Sequence, residues 1–348
     1  MFRKILSLIF IIAFAAVWYG CGGDDDNGVG PTPPPPPPRL VVEAHQSPGL
    51  NSVDHAVWNS IEAVDVSVGD SSKYNAGVSF TNNLTASMKA LTANDSIFVR
   101  VEWNDNSEDN QFGQLQARWL NNTINWEEID TTLFANEDRF YVIIDNGGPN
   151  GADCSALCHS TANASGRKLY GATGDDADVW HWKANRTGLA SYAEDMHITT
   201  TTTATDPQAS TGGELYYRNF GAFPSPRPLY MHPDSTDYTG PDLLEGIYIG
   251  YIHSHSWASV TDSNGVKMPG FYLNHLSGAN GSRWDVRAVS EHDGLGWTVV
   301  FARQLTTADA DDVDLSFSIP DSLQISIAIG NNSGMKHHGA PPFYMVFE

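Results

Sequence analysis

The chain reads as mainly β: an antiparallel, immunoglobulin-like β-sandwich with long loops and short helices. Three observations predict it. Short apolar runs rich in Val, Ile, Tyr and Phe recur along the chain, clusters of Gly, Asn, Asp and Pro separate them, and no long stretch keeps a 3.6-residue apolar period between caps. The elements follow in order. Residues 1–20 have a basic start at Arg3 and Lys4 and an apolar run from Ile5 to Val17, too short to span a bilayer, and read as a signal peptide. Gly20 before Cys21 points to lipoprotein processing with Cys21 as the acylated residue. Residues 21–39, "CGGDDDNGVGPTPPPPPPR", cannot bury apolar surface and read as an extended acidic and polyproline tether. The folded domain is expected over 40–348, long enough for a sizeable core.

Within that domain, "AVDVSVG" (63–69), "DSIFVRVEW" (95–103), "DRFYVIIDN" (138–146), "GIYIGYI" (246–252), "LQISIAIGN" (323–331) and "PFYMVFE" (342–348) read as strands. Residues 284–305 read as a hairpin turning at "HDGLG". Two regions, 147–203 and 199–241, read as long loops, and loops of that length in a compact domain are functional or disordered. No internal repeat is visible.

Charge bounds the partners. The chain carries 19 basic and 41 acidic residues, a net charge of −22 that deepens once Arg3 and Lys4 are removed. Such a surface argues against nucleic acid and anionic lipid headgroups as partners, and for solubility outside the cell membrane.

The chemistry gathers in "GADCSALCHSTANASG" (151–166). Of three cysteines, one is assigned to lipid and two, Cys154 and Cys158, stand beside His159. A c-type haem needs two thiols for thioethers and a histidine directly after the second to ligate iron; three residues separate the thiols here instead of the usual two, still on one face of a helical turn. A Cys154–Cys158 disulfide suits the same spacing in an oxidising compartment. Zinc lacks a second Cys/His pair, and a catalytic thiol would be oxidised by its neighbour. The spacing leaves haem attachment and the disulfide open.

Several pieces together resemble the haem-binding domain related to the γ subunit of ethylbenzene dehydrogenase, in its exported c-type cytochrome branch. They are "DHAVWNS" (54–60), "NEDRFYVIID" (136–145), "CSALCH" (154–159), "DVWHWKANR" (178–186), "LYM" (229–231), "MPGFYL" (268–273), "GSRWDVRAV" (281–289) and the histidine-bearing C-terminus. The resemblance implies a β-sandwich enclosing one covalent haem c, with Cys154, Cys158 and His159 at the attachment site. In the γ subunits the haem is b-type with methionine and lysine ligands. The second axial ligand would come from "NNSGMKHHGAPPF" (331–343), where His337 is favoured over Lys336, His338 and Met335. In "VWHWK", alternation puts Trp180 and Trp182 on one face and His181 with Lys183 on the other. The tryptophans would pack on the porphyrin or the core, and His181 and Lys183 would meet propionates or solvent. His253 and His255 alternate on one strand face and lack a third partner in sequence for a metal site.

No phosphate loop, nucleophile elbow, His-Glu-x-x-His or EF-hand loop is present. The expected protein is thus no enzyme but a lipid-anchored, extracytoplasmic monohaem cytochrome of a bacterial envelope, passing electrons between redox protein partners. The rivals are a haem-free carbohydrate-binding module, for which ten tryptophans offer stacking platforms, and the haem subunit of a molybdenum oxidoreductase.

Overall fold

The computed structural model describes residues 36–45, 53–69, 84–110, 115–120, 123–128, 137–157, 174, 176–188, 191–198, 216–218, 230–231, 249–250, 267–268, 271–273, 285–309, 312–316, 322–332 and 337–348. The expected signal peptide, Cys21, Cys158, His159, Met335, Lys336, His253 and His255 lie outside them. No helix among the described residues is long and apolar enough to cross a membrane. Pro37–Glu348 form one compact unit.

The first half contributes β1 (Arg39–Ala44), β2 (Val64–Val68), β3 (Leu84–Ala93), β4 (Ser96–Asn104), β5 (Leu115–Leu120), β6 (Thr123–Glu128), β7 (Arg139–Gly147), the one-turn helix α1 (Cys154–Leu157), β8 (Asp176–Lys183) and β9 (Glu194–Ile198). The second contributes β10 (Tyr216–Arg218), β11 (Tyr230–Met231), β12 (Ile249–Gly250), β13 (Lys267–Met268), β14 (Phe271–Leu273), β15 (Arg287–His292), β16 (Gly296–Gln304), β17 (Ser322–Gly330), β18 (His338–Gly339) and β19 (Phe343–Phe347). The protein is mainly β, as its patterning predicts, and the expected hairpin is β15–β16. The region 147–203, expected to lack strands, contains β8 and β9. Their residues are buried on both faces, so apolar and polar positions do not alternate cleanly.

One large sheet runs β15-β16-β4-β3-β1-β19-β17-β7-β8-β9, with β2 paired to β3 and β18 to β17. It curls until its ends meet: Tyr192, just before β9, bridges Arg287 of β15, and Ala193 N–H donates to Val286 O at 3.0 Å. Pairing is antiparallel except around β1, which lies parallel to both β3 and β19. The β3–β4 hairpin turns on Asn94 and Asp95, both at positive φ, the geometry of a two-residue turn that follows the strand twist.

Curling separates an inside from an outside. The inside holds the main core, in which Phe140, Trp180, Trp182, Phe301, Ile325, Ile327 and Phe343 are buried together. Outside, β3, β4 and β16 are covered by the segment around Trp58 and Ile61. The outer face of β7, β8, β9 and β17 is covered instead by the chain that carries Ala152, Cys154 and Leu157.

Candidate functional site

That second covering contains the site. After β7 the chain turns back over the sheet through Gly147, Gly148 and Gly151, all at positive φ. Gly151 has a further reason to lack a side chain, because a Cβ there would stand 1.9 Å from Gln324 Oε1. The same Gln324 oxygen accepts from Ala152 N–H at 3.0 Å and pins the loop to β17. Cys154 then opens α1 fully buried, packed with Ile143, Leu157, Val179 and Ala328.

Strand register supplies the rest. Ala328 of β17 pairs with Tyr141 of β7, Tyr141 with His181 of β8, and His181 with Glu194 of β9, so these four make one row across the sheet. Gly339 of β18 extends the row beyond Ala328, which brings His337, two residues earlier in the chain, to its end. The Tyr141 and His181 rings stack with centroids 4.0 Å apart, and the Tyr141 and His337 rings lie at 5.7 Å. His337 Nε2 is 3.5 Å from Cys154 Sγ. A thiol and an imidazole separated by 183 positions in sequence thus meet in a buried contact, which with the side chains around it is called the pocket.

Cations surround the pocket's far end. Glu194 pairs with Lys183 and lies 3.8 Å from His181 Nδ1, beyond hydrogen-bond reach. Glu137, fully buried, pairs with Arg186, accepts from the backbone of Asn185 and Arg186 at 3.0 and 2.8 Å, and lies 3.7 Å from Arg139. Burial pushes its carboxyl upward, but Arg186, Arg139 and Lys183 outweigh burial and hold it below the ordinary value. His181 is driven well below its ordinary value, first by burial and then by Lys183, Arg139 and Arg186. Its ring is therefore neutral near pH 7, and neither nitrogen has a hydrogen-bond partner.

The structure brings Cys154 and His337 together and places His181 beside them. His181 is buried, which corrects the solvent half of the expectation that it meets propionates or solvent. Of the two settings expected for Trp180, the porphyrin or the core, the structure has the core: the even-numbered side chains of β8 point into the curled sheet, on the opposite face from Cys154. Lys183 is on the Cys154 side but is buried against Glu194. His338 is buried in β18. The sequence held a signal for His181 in its strand alternation, whereas its stacking on Tyr141 depends on β7–β8 register that no motif encodes.

A haem of the c type asks for two thiols, an imidazole and apolar walls. Among the described residues Cys154 offers one thiol, His337 an imidazole, and Leu157 and Val179 apolar walls, and the unbonded nitrogens of His181 are an orphaned donor set beside them.

Fold and site together define a curled-sheet β protein with a buried thiol–imidazole pocket on its outer face. A family model described as "Ethylbenzene dehydrogenase" matches residues 55–340, most of the chain and all of the pocket's described residues. The chain belongs to that family. No curated protein matches its sequence. Among solved structures, a family 9 carbohydrate-binding module from Caldicellulosiruptor kristjanssonii in complex with cellotriose is similar at 10% identity, covering 87% of this chain and 83% of that one, with a TM-score of 0.32. The module from the same organism in complex with glucose is similar at 6% identity, covering 89% and 95%, with a TM-score of 0.34.

Proposed function

We propose that this chain is a haem-binding electron-transfer protein of the ethylbenzene dehydrogenase family, with the haem attached through Cys154 and Cys158 and the iron held by His159 and His337. The observation that supports the reading is that Cys154 and His337, to which the family resemblance gives attachment and axial ligation, come together on one face of the sheet from positions 183 apart; their 3.5 Å contact has to open for a porphyrin to enter, because a thioether sulfur lies at the ring's edge and an axial nitrogen at its iron. The haem supplies a one-electron redox centre. The chain's residues do the rest. Cys154 fixes the group covalently, His337 offers a nitrogen from a segment anchored by β18, and Ile143, Leu157 and Val179 exclude water. Lys183, Arg139 and Arg186 give the pocket positive potential that suits propionate groups, with Glu137 and Glu194 holding them in place. In this reading the protein is no enzyme itself, is exported, and is tethered through Cys21 to the cell envelope, where its acidic surface steers redox protein partners.

The test is expression in a host that matures c-type cytochromes, followed by denaturing electrophoresis and haem staining. A stained band that disappears in the Cys154→Ala/Cys158→Ala double variant is expected; a colourless wild-type protein overturns the reading. A second reading is a haem-free sugar-binding module. Binding of glucose or cellotriose by the colourless protein would establish it. The five tryptophans whose side chains are described are all buried, so a stacking platform for sugar would have to come from other residues.

A further inference from the structure

Four carboxylates and one guanidinium converge inside the curled sheet, on the opposite face of β8 from Cys154. Asp178 comes from β8, Asp195 from β9, Arg303 from β16, Asp285 from the residues leading into β15, and Asp312 from the segment between β16 and β17. One carboxylate oxygen from each of Asp178, Asp195 and Asp312 lies within 4.8 Å of the others. An ion with oxygen ligands at about 2.3–2.6 Å touches oxygens up to roughly 5 Å apart, so one centre reaches all three.

Arg303 answers only part of this charge. Its Nη1 donates to Asp178 Oδ2, which also accepts from Val313 N–H at 3.1 Å, and its Nη2 donates to the Val313 carbonyl. The same Nη1 stays 4.0 Å from Asp195 Oδ2. Asp178 Oδ1, Asp195 Oδ2 and Asp285 Oδ1 are buried with no hydrogen-bond partner, and the residues Asp178 and Asp195 are 1% and 3% exposed. Oxygens shut away from water in this state require a proton or a cation. One guanidinium cannot balance four carboxylates.

We propose that Asp178, Asp195, Asp285 and Asp312 form a calcium site closing one end of the sheet's interior. The donors are all hard oxygens, with no thiol or imidazole, which suits calcium and not zinc or copper. The site shares no residue with the thiol–imidazole pocket and is independent of any haem there.

The test uses the full chain stripped with chelator and titrated with Ca²⁺ by calorimetry and thermal unfolding. One equivalent should bind, and Ca²⁺ at about a hundred times its Kd should raise Tm by roughly 5 °C. Terbium in place of calcium should luminesce on tryptophan excitation, since the Trp180 ring lies 5.2 Å from Arg303 Cζ at the cluster. Asp312→Asn, which changes a partly exposed member, should weaken Ca²⁺ at least tenfold and quench the terbium signal, and Asp195→Asn should do the same. No heat and no Tm change at millimolar Ca²⁺ would mean that protons alone neutralise the cluster and would overturn the proposal. Undiminished binding in Asp312→Asn and Asp195→Asn would place the ion elsewhere on the acidic chain and overturn it equally, as would an equal response to Mg²⁺.

Discussion

A buried imidazole with neither nitrogen bonded has lost its hydration without gaining a partner, and His181 is such a group. Its stacking on Tyr141 requires only a flat ring. His181→Phe in the haem-free protein is therefore expected to leave stability unchanged or to raise it by about 1 kcal/mol, as read by denaturant unfolding. A loss of more than that would show that the nitrogens are bonded in solution. In haem-loaded protein the same variant separates two ligands: unchanged low-spin bands leave His337 as the iron's partner, and a shift to high spin assigns the position to His181. Cys154 and His337 drew attention in the sequence because the first sits in a spaced motif and the second in a chemically rich loop; that they touch could be learned only from the fold. The acidic cluster was legible only in part: "DADDVDL" (309–315) reads as an acidic run able to bind calcium weakly, with a solvated loop as the default. Its four aspartates come from separate segments, and nothing in "DADDVDL" distinguishes Asp312 from a solvated neighbour.

At the scale of elements, alternation in "DVWHWK" told correctly which side chains share a face, but not which face turns inward. That depends on how the sheet curls, and the outcome sends both tryptophans of β8 to the core. β3 was missed for a related reason: "LTASMKALTA" is small and mixed in character, and becomes a strand because β1, β2 and β4 pair with it. The turn between β8 and β9 is held from outside by Glu137, which binds the backbone of Asn185 and Arg186 as well as the Arg186 side chain. Glu137→Gln would leave Arg139, Arg186 and Lys183 short of one counter-charge. It should destabilise the protein by about 3–5 kcal/mol. Because the folded carboxyl is held below its ordinary 4.5, its stabilising contribution is present above that pH and lost as pH falls through the folded value. Acid unfolding of the variant should accordingly show a shallower pH dependence below about pH 4.5 than the wild type, measured by circular dichroism.

At the scale of the molecule, the mainly β class and seven of the twelve strands of the large sheet could be read from apolar runs and turn residues, since those signals are local. The order of strands could not, because it is set by contacts distant in sequence. β1 shows this most clearly. It lies between β3 and β19 and runs parallel to both, with Arg39 opposite Tyr344, about 300 positions apart. Deleting Phe343–Phe347 should strip one edge of β1 and one of β17 together, and the truncated chain is expected to lose its cooperative unfolding transition. A truncated chain that still melts sharply would show that β1 and β17 do not depend on β19.

The position of β19 also orders events in time. Every residue between β1 and the C-terminal strand must be synthesised before that pairing can form, and closing so long a loop opposes it entropically. Folding dominated by such distant contacts is slow, in the range of milliseconds to seconds or longer. Until the last strand arrives, the growing chain has open strand edges that invite pairing with other chains, so a holding chaperone would be most useful during that interval. Closure of the sheet is thus a late step, after the segment bearing Cys154 has been made and while that segment is still open to solvent.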